Sequence, residues 1–154
     1  MTTTDTAPTL GSDFLEQNYL PQSCPPPPST LPRVAGAAEV YGLLANLGTK
    51  DREHLVALFL NVRHRVIRRR TIAIGSLTGV DVHPREVFKP AISASAAAII
   101  LAHNHPSNDA TPSRADIELT TRLRSVGDLV GIPVLDHLII CREGYVSLAE
   151  RNWR

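Results

Sequence analysis

Beyond residue 32 the apolar positions recur with readable periods. Val34, Ala37, Ala38, Tyr41, Leu44, Ala45 and Leu47 share one helical stripe, which Gly48 is expected to end. Leu55 to Val62 is an apolar run broken only at Asn61, suiting a central buried strand. Arg65 to Ile74, with Val66, Ile67, Ile72 and Ile74, reads as its hairpin partner around Asn61 to His64. His83 to Ser95 predicts a helix entered through Pro84, Ala96 to His103 a short buried strand, and Ser113 to Val130 a helix with Leu119, Leu123, Val126 and Val130 on one face. Pro133 to Cys141 and Tyr145 to Leu148 return to strand. The order α, ββ, α, β, α, ββ predicts an α/β (α+β) fold: a mixed β-sheet flanked by helices.

Residues 1–32 have a different character. They hold seven of the twelve prolines, including Pro25 to Pro28, and read as a Pro-rich disordered tail before a single domain over 33–154. Phe14, Leu15, Tyr19 and Leu20 could dock on that domain as a short helix. The tail carries net −3, leaving net +4 beyond it, too small an excess to mark a nucleic-acid binder. That excess is concentrated at Arg63, Arg65, Arg68, Arg69 and Arg70. These arginines suit either phosphate contact or the charged edge of a sheet, and edge protection is the plainer account.

The longest apolar stretch, Ala96 to Ala102, is too short to span a bilayer, and no basic residue precedes Arg33 to begin a secretory signal. A soluble, cytoplasmic protein with no membrane partner is expected. Cys24 and Cys141 lie far apart, outside any paired-cysteine motif, so a metal would need other ligands.

Those ligands are offered between His103 and Asp116. His103 and His105, two apart at the end of a buried strand, point the same way, and the loop to Pro112 is long enough to return the next helix beside them. Asp116 sits in that helix's first turn. Two imidazoles and one carboxylate form a three-ligand zinc set that leaves a fourth tetrahedral position for water. The same donors also suit iron. Ser113 and Asp116 read equally as a helix start, a serine cap with an acidic residue three positions on.

"HNHPSNDATPS" from His103, "VHPREVF" from Val82, "LDHLII" from Leu135 and "GYVSLAE" from Gly144 resemble the JAMM or MPN+ metalloproteases, in their RadC-like branch, over roughly 33–154. The resemblance implies a cytidine-deaminase-like JAB/MPN sandwich, with zinc rather than iron on His103, His105 and Asp116. It implies that Ser113 helps stabilise an oxyanion, and that an upstream Glu on the first core strand activates the attacking water. Glu53, just before Leu55 to Val62, is the best positional match for this general base. Glu86 is the alternative, although an acidic residue in a first helical turn is ordinary. Asp136 and His137 fit a supporting or packing role better than ligation. His54, His64 and His83 read as surface or packing residues.

The function expected is a zinc-dependent metallopeptidase or isopeptidase acting on a peptide or protein substrate. The alternatives are a DNA-repair or mobile-element accessory protein, and a non-catalytic MPN interaction domain. The family often carries an N-terminal helix-hairpin-helix-type region, for which residues 1–32 show no pattern, and often has Gly after the loop serine, where this chain has Asn108. A ubiquitin-specific enzyme is not expected, because the long insertions of ubiquitin-cleaving relatives do not fit in this length. A nucleobase deaminase is excluded by ligand identity: Asn104-His105 stands where His-x-Glu would be needed, and no Pro-Cys-x-x-Cys follows. Substrate identity and oligomeric state are not encoded in any motif.

Overall fold

The computed structural model describes residues 31–75 and 82–152. Five strands form one sheet: β1 (His54–Leu60), β2 (Val66–Ile74), β3 (Ala98–Asn104), β4 (Val134–Cys141) and β5 (Gly144–Ser147), in the order β2-β1-β3-β4-β5. Among the described residues, three α-helices accompany them: α1 (Ala37–Leu44), continued by a 3-10 turn over Ala45–Thr49, then α2 (Pro84–Ser93) and α3 (Arg114–Val130). Neighbouring strands are antiparallel except β3 and β4, which run parallel because α3 lies on the crossover between them. The sheet is mixed and helix-flanked, as the periodicity predicts.

The continuous apolar run of β1 is explained by its cover. Val56, Leu58 and Leu60 face one layer with Val40, Leu44 and Leu47, whereas Leu55, Ala57 and Phe59 face another with Val87, Phe88, Leu119 and Leu123. A strand buried on both faces needs no polar alternation. Burial of each large aliphatic side chain contributes roughly 1.5–3 kcal/mol, so these two layers hold the sheet in place. On β3, Ile99 and Leu101 join the second layer. His103, two residues further on, therefore turns toward the same side as α3.

Several boundaries differ from the periodic reading, each for a local reason. The first helix tightens at Ala45 instead of running to Leu47. There the chain lies hard against β4, and a Cβ on Gly48 would collide with the Cys141 carbonyl. β1 stops at Leu60 rather than Val62, because the Asn61 side chain accepts hydrogen bonds from the backbone N–H groups of Arg63 and Arg65 and folds the hairpin. Val62 is left 84% exposed in the turn.

Arg68, Arg69 and Arg70 pair with Phe59, Leu58 and Ala57 on the outermost strand, all three exposed. A run of charge there hinders pairing with another sheet. Apart from residues 31 and 32, the Pro-rich segment, with Cys24 and the candidate docking helix, lies outside the described residues. Among the described residues no helix is long and apolar enough to cross a membrane.

Candidate metal centre

The centre forms where β3 ends. His103 is fully buried and pairs in register with Leu55 of β1 and Ile139 of β4. His105 lies just past the strand. The loop beyond it bends at Asn108, whose φ of 64° is left-handed and whose N–H donates to the His105 carbonyl at 3.0 Å. Asparagine tolerates this conformation better than most residues other than glycine. Its Oδ1 accepts from the Arg142 N–H at 2.8 Å.

The loop delivers Ser113 as the cap of α3. Its Oγ accepts from the Asp116 N–H at 3.2 Å, and the Ser113 N–H donates to Asp116 Oδ2 at 2.7 Å. The capping box is complete, and it orients the Asp116 carboxylate.

Three donors converge here. His103 Nε2 lies 3.0 Å from His105 Nε2 and 3.1 Å from Asp116 Oδ1, and His105 Nε2 lies 3.4 Å from Asp116 Oδ2. His105 Nδ1 stands 2.6 Å from the Asp109 carbonyl. A carbonyl can only accept, so Nδ1 carries a ring proton, and Nε2 turns inward toward Asp116. Burial would raise the Asp116 pKa, but hydrogen bonds with His103 and His105, helped by Ser113, outweigh it and hold the carboxyl well below the usual carboxylate range. The His105 pKa is raised, chiefly by its hydrogen bond with Asp116; burial opposes this, and the Asp109 carbonyl supports it. A buried anion beside two inward nitrogens is a site for a cation. The donors, two nitrogens and a carboxylate, suit a divalent metal ion.

The other sequence candidates take varied places. Glu53 directly precedes β1, and the register Leu55↔His103 carries it to the level of His105, whose proton affinity its charge helps to raise. Ser113 is exposed, and its capping role uses an oxygen lone pair but not the hydroxyl proton. Glu86 is exposed in the first turn of α2 and paired with Arg85 at 3.1 Å. His83 caps α2, His64 takes a left-handed turn conformation, and His54 Nδ1 lies 2.9 Å from the Arg52 carbonyl. Asp136 fastens the C-terminal segment by accepting from Ser147 Oγ at 2.7 Å and the Ala149 N–H at 3.0 Å. His137 touches His103 at Nδ1, on the side away from Asp116, and burial lowers its pKa well below the ordinary value.

Two contributors escape the motif reading. Asn104, buried between the two histidines, accepts from the His54 N–H at 2.8 Å and donates to the Arg52 carbonyl at 2.9 Å, pinning the segment that carries Glu53. A buried amide at a strand end is the signal that could have exposed it. Thr120, four residues after Asp116 and hence on the same helix face, reaches His137 at 2.6 Å.

Comparison with known proteins agrees with this geometry. The chain is 57% identical over 103 residues to a UPF0758 protein of Geobacillus sp. strain WCH70, covering 67% of this chain and 46% of that one. It is 51% identical over 122 residues to a UPF0758 protein of Rubrobacter xylanophilus, covering 79% and 53%. With UPF0758 protein YsxA of Bacillus subtilis it shares 53% identity over 114 residues, covering 71% and 49%. The chain thus spans about half the length of the curated relatives it matches. The family model described as RadC-like JAB domain matches residues 34–153, so the chain belongs to the RadC-like JAB domain family.

Proposed function

We propose that this chain is a zinc-dependent hydrolase of the JAMM type, which cleaves an amide bond in a peptide or protein substrate in the cytoplasm. The observation that carries the reading is the convergence of His103, His105 and Asp116 on one buried point. Three protein ligands leave a fourth position for water or substrate, the pattern of catalytic rather than structural zinc. When bound, the metal supplies a Lewis acid that brings the pKa of a coordinated water toward ~7 and polarises a carbonyl.

The chain's own groups supply the rest. Glu53, at the level of His105, takes the proton of the attacking water and passes it to the leaving amine. The Ser113 hydroxyl, not donating within its capping box, donates to the developing oxyanion. Asn104 holds the backbone before β1 and with it the approach of Glu53.

The test joins metal analysis of tag-free protein with a panel of peptide and isopeptide substrates. Glu53→Gln should keep its metal and lose about 10²–10⁴-fold in rate. An unchanged rate with metal bound removes Glu53 as the base, and a chain that takes up no zinc when supplied removes the hydrolase reading.

A further inference from the structure

The strongest unabsorbed feature is the buried polar chain behind His103. His103 Nδ1 lies 2.8 Å from His137 Nε2, His137 Nδ1 lies 2.6 Å from Thr120 Oγ1, and Thr120 Oγ1 lies 2.6 Å from the Asp116 carbonyl. His103, His137 and Thr120 are all buried, at 0%, 1% and 7% exposure, so each proton must be shared among these groups.

With both rings neutral, only one arrangement of the protons satisfies each contact along this chain in turn. The Asp116 carbonyl has no proton, so the Thr120 hydroxyl must donate to it. Thr120 Oγ1 then accepts from His137, which places the His137 proton on Nδ1 and leaves Nε2 as an acceptor. That acceptor takes the proton on His103 Nδ1. In the neutral ring, His103 Nε2 is consequently the unprotonated nitrogen, and it faces His105 and Asp116. The reverse arrangement sets two acceptor oxygens 2.6 Å apart with no proton between them, and puts an N–H of His103 where a metal would bind.

We propose that His137 and Thr120 are positioning residues that hold His103 in its Nδ1–H tautomer and so keep its Nε2 open as a ligand. This rests on reading His103 as a metal ligand. The chain begins and ends on Asp116: its side chain faces the centre, and its main-chain carbonyl fixes the last proton. One residue thus supplies a donor and, through Thr120 and His137, orients another.

The test uses the full chain. Long-range nitrogen–proton NMR on the metal-free protein reads the His103 tautomer directly, and zinc affinity is measured against a competing chelator. At a pH where the ring is neutral, wild-type His103 should show a protonated Nδ1 and a bare Nε2. Thr120→Val should move His103 toward the Nε2–H form and weaken zinc about 10–100-fold, and Thr120→Ser, which keeps the hydroxyl, should restore both. A neutral wild-type His103 protonated at Nε2 in place of Nδ1, or a folded Thr120→Val variant with unchanged tautomer and affinity, overturns the proposal. The wild-type spectrum decides even if Thr120→Val does not fold. Because the tautomer is read without metal, a chain that binds no zinc fails the hydrolase reading while this assignment is still tested.

Discussion

His103 leaves a strand buried on both faces and is 0% exposed in its side chain, whereas His105 stands on the loop beyond, with 13% of its side chain exposed. Both present Nε2 to the same carboxylate. The strand histidine is backed by a side chain 34 positions away, which is itself held by one 17 positions from it. The loop histidine is backed by a carbonyl four positions away. One is part of the core, and the other is held by its own loop. They should therefore be equally necessary for binding metal and unequally necessary for folding.

Substitution would expose the difference most clearly. His103→Ala should abolish metal binding and destabilise the metal-free domain by about 2–4 kcal/mol, because it opens a cavity and leaves His137 Nε2 without its partner. His105→Ala should also abolish binding but change stability by no more than about 1 kcal/mol. Plasma mass spectrometry and urea unfolding in chelator check both; equal stability losses would break the contrast.

A smaller effect concerns pH and belongs to the loop side. A metal must displace the proton that His105 holds through its raised pKa, so affinity should climb up to about tenfold per pH unit on the acid side of that value and flatten above it. In the metal-free protein the sign reverses. A raised folded pKa stabilises the fold fully below the ordinary value of 6.5, and this contribution fades as pH rises through the raised one. Calorimetric titration across pH tests the first statement, and a flat profile would refute it.

The smallest effect lies in the loop itself. Asn108→Gly keeps the left-handed backbone and gives up only the bond to Arg142, so stability should shift by about 0.5 kcal/mol or less, with metal affinity retained. Loss of metal in this variant would mean that the Asn108 side chain, not its backbone, holds His105 in place.

The same contrast separates what sequence reading reaches from what it misses. Unbroken apolar runs mark β1 and β3, and a 3.6-residue period marks α3, because burial acts on each residue through its own side chain. The donors His103, His105 and Asp116 were legible because they lie on one contiguous stretch whose spacing follows strand and helix geometry. Asn104 and Thr120 were not, because their roles arise from packing between distant segments, and neither belongs to a spacing rule. The tightening at Ala45 was hidden for a related reason: it depends on how closely Gly48 approaches β4.

The parallel pairing of β3 with β4 also has a temporal consequence. All three donors lie on a short stretch of chain, but the ring that backs His103 reaches it only when the crossover through α3 brings β4 against β3. A nascent chain would hold the full set of donors before it held the ring that sets one of them. Full affinity for an ion would then be reached only on completion of the β3–α3–β4 unit, so that ion uptake would report on its assembly.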